Sequence, residues 1–336
     1  MRSPGHGGVA RSSNRRLRNS RLVLVPAVVL ALVGCGADAV PRSQSPLGSE
    51  SGSPPTSSPA PPSGSSTSLP STSSRTPTAS PQAATPKPTR TTDVNPVGDL
   101  PGWRQVFMED FTAGDVPIGA FPGPLYQERW SAGYKDGIPD TAGQISGGKS
   151  GYYPSKVLSV HGGVLDWYLH SENGISMGAA PQPRIPNASA NPPRYNSFLY
   201  GRYSVRFKAD SLAGFKTAWL MWPDSGVWPR DGEIDFPEGE LTRTIYGATH
   251  AGTNHAEVFD SGVPFTSTSW HIATTEWSPE RLEFFLDGQS LGASTTDVPS
   301  TPMHFILQTE SCLTGCPAPE TQGHVYLDWI SMWAPA

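Results

Sequence analysis

The sequence predicts an all-β domain built as two packed antiparallel sheets, and three observations predict it. In Arg202-Tyr203-Ser204-Val205-Arg206-Phe207-Lys208 apolar side chains take alternate positions, the period of a strand with one buried face. Arg281 to Leu286, Asp287-Gly288 and Gln289 to Ala293 read as a hairpin, because Asp-Gly suits the turn whose twist matches antiparallel strands. All 32 aromatic residues lie from Trp103 onward. Core-forming material is therefore confined to the last two thirds of the 336-residue chain, a common length for one sandwich or barrel.

The segments before that domain have other work. Arg11, Arg15, Arg16, Arg18 and Arg21 precede an apolar run from Leu22 to Val33, too short to span a bilayer comfortably and suited to an export signal. The run ends in Leu32-Val33-Gly34-Cys35, which resembles the lipobox of bacterial lipoproteins, so residues 1–35 are expected to be a lipoprotein signal peptide with Cys35 acylated. A plain secretory signal cleaved after Ala37-Asp38-Ala39 is the alternative. Residues 36–98 are rich in Ser, Thr, Pro and Ala and cannot offset their ordering entropy by burial. They are expected to form a disordered tether that leaves 99–336 as the working domain, outside the cytoplasm, lipid-anchored or secreted. Ten of the 24 basic residues but only three of the 29 acidic ones precede Asp99, which leaves the rest of the chain at a formal −12. Such a domain repels nucleic acid and anionic membranes, so membrane contact is expected through Cys35 alone, and the domain is expected to be a monomer.

Further strands follow in order. Val157 to Val160, His161-Gly162-Gly163 and Val164 to Leu169 read as strand, turn, strand, and His324 to Trp333 closes the chain with Val325, Leu327 and Trp329 on one face. Setting Cys35 aside leaves one possible disulfide, Cys312 with Cys316, favoured in an oxidising compartment. A C-x3-C metal site is the alternative, but no neighbouring His/Cys pair completes four ligands.

The sharpest constellation is Gly232-Glu233-Ile234-Asp235-Phe236-Pro237-Glu238-Gly239. In a regular strand Glu233 and Asp235 share a face and Glu238 points to the other. A β-bulge near Phe236-Pro237 resets the alternation and returns Glu238 to their face, and Pro inside a strand belongs at a bulge or an edge. Three carboxylates on one face are costly to bury without a purpose, which points to acid/base chemistry; a solvated strand face is the competing reading. Trp219, Trp222 and Trp228 lie just upstream, where exposed rings would serve as platforms for sugars, though each taken singly reads first as a core residue.

At this motif the chain resembles glycoside hydrolase family 16. Glu233-Ile-Asp-Phe-Pro-Glu238 matches the family's Glu-x-Asp-x-x-Glu signature in the bulged form of laminarinases. Phe107 to Phe111 is similar to its opening strand, Tyr200-Gly-Arg-Tyr203 to its Tyr-Gly-Arg-Phe segment, and Trp228-Pro-Arg-Asp-Gly-Glu233 to its lead-in. Trp270-His271 through Trp277-Ser-Pro, Phe284-Phe-Leu-Asp-Gly288 and Val325 to Trp333 resemble its later strands.

The resemblance implies a β-jelly-roll of two curved antiparallel sheets with a concave substrate cleft, and an endo-acting retaining β-glycanase, on β-1,3-glucan first of all. Glu233 would be the nucleophile, Glu238 the general acid/base kept protonated by its negative neighbours, and Asp235 the partner of the nucleophile. Trp228 and Trp219 would be sugar platforms, with His250 and Gln308 as polar contacts. Alternatives are a transglycosylase, a hydrolase of mixed-linkage glucan or galactan, and a non-catalytic glycan-binding jelly roll. Pro237 and the Gln308-Thr309-Glu310 segment depart from the family pattern. No organic cofactor is implied and no metal is assigned: the family's structural calcium would fall to Asp328, which reads better as a surface residue.

Overall fold

The computed structural model describes residues 95–185, 197–253 and 255–336. The expected signal peptide, Cys35 and nearly all of the expected tether lie outside the described residues. Within them the chain is a β-sandwich of a six-stranded and an eleven-stranded sheet, and every strand pair is antiparallel except Ser150–Tyr152 with Ile175–Gly178. Helix is limited to three short segments, the longest being Thr141–Ser146.

The larger sheet is organised by the last strand, Gly323–Pro335. Its first half pairs with Val164–Glu172, its second half with the opening strand Trp103–Glu109, and its other edge with Gly201–Ala209 along most of its length. The two hairpins read from sequence are present: Leu158–His161 returns as Val164–Glu172, and Arg281–Leu286 returns as Gln289–Ser294 through Asp287 and Gly288, both at positive φ. The smaller sheet runs in the order Glu257–Pro264, Thr244–His250, Glu233–Glu240, Phe215–Pro223, Met303–Ser311, Ser197–Phe198.

Alternation decides what fills the space between the sheets. Trp167, Phe207, Tyr203 and Phe284 reach inward from the larger sheet and meet Trp219, Phe305 and Phe236 from the smaller one, with ring centroids 5.1–5.8 Å apart. Cys312 and Cys316 are joined by a disulfide just beyond the Met303–Ser311 strand. Asp328 pairs with Arg206 on the outer surface of the larger sheet.

Candidate active site

The bulge is where the alternation argument requires it. Ala218 pairs with Glu238 and Leu220 with Asp235, so Trp219 alone faces both Phe236 and Pro237; on the other edge Gly247 alone fills the same gap. Two residues against one restores parity. Phe236 goes into the core against Phe284, while Glu233, Asp235 and Glu238 all take the face of the smaller sheet turned away from the core, the cleft face. The residue opposite the bulge has no room for a side chain, since a Cβ on Gly247 would lie 2.7 Å from the Phe284 ring. Upstream, Gly232 stands at φ +85°, and a Cβ there would meet Pro299 and the His250 carbonyl at under 3 Å. A tight turn through Val227–Asp231 and Pro229–Gly232 backbone bonds thus delivers Glu233 to the start of its strand.

The three carboxylates are almost entirely buried. Glu233 is pushed up to about 8, first by burial and then by the charge of Glu238, with Trp228 and Lys216 acting in the opposite direction. Burial and the same two glutamates hold Asp235 well above the carboxylate range. Like charges on one face therefore raise one another's proton affinity at Glu233 and Asp235. Glu238 has a cation of its own, Lys216, whose Nζ lies 2.6 Å from Glu238 Oε1.

The other expected site residues divide by strand face. His250 is opposite Glu233 on the neighbouring strand, and burial lowers its pKa, leaving a neutral imidazole at neutral pH. Trp228 is half-buried with its ring edge-on to His250 at 5.5 Å. Gln308 is half-buried and pairs with Ala218, which places it in one cross-strand row with Glu238. Trp219 is not a sugar platform. It is fully buried between Trp167 and Phe207 and donates its indole N–H to Thr309 Oγ1 at 3.3 Å, because odd positions of the Phe215–Pro223 strand face the core. The even positions Lys216, Ala218, Leu220 and Trp222 face the cleft, and the half-exposed ring available there is Trp222.

Sequence reasoning missed the polar groups around this row. Lys216 and Glu310 are both buried and directly opposite each other on adjacent strands. Glu310 is raised to about 7, first by burial, with Lys216 opposing and Asp140 reinforcing. Tyr246 is paired with Glu238, and Tyr134 stacks on buried Tyr152 at 4.9 Å near Glu310. Their signal in sequence was the even-numbered spacing from Ala218 and Gln308, legible once one register is known. Glu233, Asp235 and His250 bring ligand-type atoms within 4.8 Å of one another, but this set is the carboxylate row with its neighbour, and we assign no metal to it.

Fold and site together define a β-jelly-roll that carries a convergent acidic triad on its cleft face. The comparisons place it more closely. Residues 187–331 match the family model for glycosyl hydrolases family 16. A β-glucanase of Rhodothermus marinus is 34% identical over 103 residues, covering 27% of this chain and 36% of the relative, and a β-glucanase of Bacillus subtilis is 25% identical over 144 residues, covering 39% and 58%. The chain therefore spans less than two thirds of these relatives' length. In structure it is similar to the laminarinase catalytic domain of Thermotoga maritima, with a TM-score of 0.53 and 21% identity over 70% of this chain and 99% of that one. Residues 187–331 therefore carry a glycosyl hydrolases family 16 match within a laminarinase-like fold.

Proposed function

We propose that the domain is an endo-acting retaining β-glycanase whose substrate is β-glucan, with β-1,3 linkages foremost. The observation that carries this reading is the bulge, which puts Glu233 and Glu238 on one face with Asp235 between them, in a chain whose relatives are named β-glucanases. A binding module has no need of two such carboxyls, whereas retaining hydrolysis needs one to attack the anomeric carbon and one to protonate the leaving oxygen. In this reading Glu233 attacks and Glu238 donates. Trp222 and Trp228 offer ring surface to the glycan, and His250 and Gln308 offer polar contacts at either side of the row.

Reducing-end release from a panel of β-glucans and galactans tests the reading, with early products followed by proton NMR. The β anomer should appear first, and Glu233→Gln or Glu238→Gln should each cut turnover by at least a hundredfold while leaving oligosaccharide binding in place. An initial α anomer refutes retention. Full activity in either variant refutes the assignment of roles.

The address is part of the same reading: export, with attachment to the outer side of the cell membrane through an acylated Cys35. Cys35→Ser should move the protein from the membrane fraction to the medium. A mature N-terminus at Val40 without lipid would replace the anchor with plain secretion.

A further inference from the structure

Lys216 is the odd residue of its strand face. Its companions there are Ala218, Leu220 and Trp222, and Lys is seldom buried unless it is paired. Its ammonium has three donors. One reaches diagonally to Glu238 Oε1 at 2.6 Å. Directly opposite on the next strand stands Glu310, whose Oε2 accepts from the Thr141 N–H at 3.3 Å and whose Oε1 has no hydrogen-bond partner among the described residues. Opposite residues of an antiparallel pair hold their Cβ atoms about 5 Å apart, so the ammonium, bonded to Glu238, also lies within electrostatic reach of Glu310.

We propose that Lys216 is a positioning residue: it clamps Glu238 to the cleft floor and supplies the counter-charge that lets the buried carboxyl cluster carry negative charge at all. What Glu238 does there rests on the glycanase reading; the clamp does not. The groups that face the pair come from every neighbouring element. Glu233, Asp235, Glu238 and Glu240 belong to the central strand, Tyr246 and His250 to the next, Glu310 to the Met303–Ser311 strand, and Asp140, Tyr134 and Tyr152 to the segments beside it. Carboxyls thus outnumber the one lysine several-fold. Burial pulls the Lys216 ammonium toward neutrality, but Glu238, Tyr246 and Glu310 together overcome it and hold the proton on. In return Lys216 works against the upward shift of both Glu233 and Glu310.

The test is a carbon-13 titration of the Glu233 carboxyl in the whole protein, the signal assigned by its loss in Glu233→Gln, and it needs no substrate. Lys216→Met should raise the Glu233 midpoint by about one pH unit or more, Lys216→Arg should restore it, and Glu310→Gln should lower it by removing a neighbouring charge. The acid limb of the pH profile for glycan release should move in the same directions. A lysine that only fills space would lower the melting temperature on substitution and leave the Glu233 midpoint where it was, which overturns the proposal. If Lys216→Met fails to fold, an unmoved Glu233 midpoint in Lys216→Gln overturns it equally. A wild-type protein that releases no sugar from any glycan sinks the glycanase reading while the titration still decides the role of Lys216.

Discussion

Deleting Pro237 and inserting a glycine after Asp235 are opposite perturbations of one geometric fact. At present Trp219 and Gly247 each face the Phe236–Pro237 pair alone. Deletion makes the pairing one to one and leaves Glu233, Asp235 and Glu238 on the cleft face, with Phe236 still directed at Phe284. The cost is altered packing around the former bulge, about 1–3 kcal/mol by analogy with changes of core shape. Insertion with the two-against-one bulge at Phe236–Pro237 kept in place reverses the parity beyond Asp235 and turns Glu238 inward toward the layer of Trp219. It breaks the 2.6 Å pair with Lys216 and leaves a buried charge on each side unpartnered, a loss of about 3–5 kcal/mol. Removing the acid from the reacting side should also lower turnover by roughly 10²–10⁴-fold. Urea unfolding gives the stability and initial rates of reducing-end release give the activity. The deletion variant should be folded and measurably active, and the insertion variant weakened and inactive. A folded, inactive deletion beside a folded, fully active insertion would refute the parity argument.

Two more outcomes follow from the faces and charges. Trp219→Ala should cost about 3–5 kcal/mol of stability by urea unfolding, with little change in KM at a temperature where the variant is folded. Trp222→Ala should do the reverse and raise KM roughly tenfold if its ring contributes about 1.5 kcal/mol of stacking; equal KM effects would put Trp219 back in the site. Glu310→Gln should leave stability unchanged below pH 4.5, where the carboxyl is protonated folded or unfolded. Because the folded state raises it from 4.5 to about 7, wild type loses stability relative to the variant across that interval, on the order of 3 kcal/mol by pH 8. Melting temperatures at pH 4.5 and pH 8 that differ by the same amount would count against a buried, charge-bearing Glu310.

Much of this fold was legible because strands have a period of two. Gly201–Ala209 alternates cleanly, and the Asp287-Gly288 turn needs two residues at positive φ, so both were readable without coordinates. The bulge was readable for the same reason, since three carboxylates cannot share a face at spacings of two and three without it. Trp219 and Trp222 were not separable in that way. They are three apart and must lie on opposite faces, but parity within a strand does not say which face is the cleft. That choice comes from pairing across strands, and one pair, Ala218 with Glu238, makes it. Lys216 was hidden by a different ambiguity. A lysine in a strand ordinarily faces water, and only its burial against Glu238 shows otherwise.

One register also ties the motif to residues that no motif contains. If Ala218 lies beside Glu238, then Lys216 and Leu220 share the cleft face, and because Ala218 also pairs with Gln308, so do Ile306 and Glu310. Glu310 in the next strand is therefore not independent of Glu238: a carboxyl at that position is bound to load the same floor with charge. Burial of so many acids on one face is tolerable only if some stay protonated or a cation is brought in. The protein does both. Glu233, Asp235 and Glu310 are raised, and the strand between Glu238 and Glu310 carries Lys216 directly opposite Glu310 and diagonal to Glu238. A second cation would relieve the burial further, but under the proposed acid role it would also hold down the proton affinity that the role requires, so that role favours a single lysine beside the carboxyls.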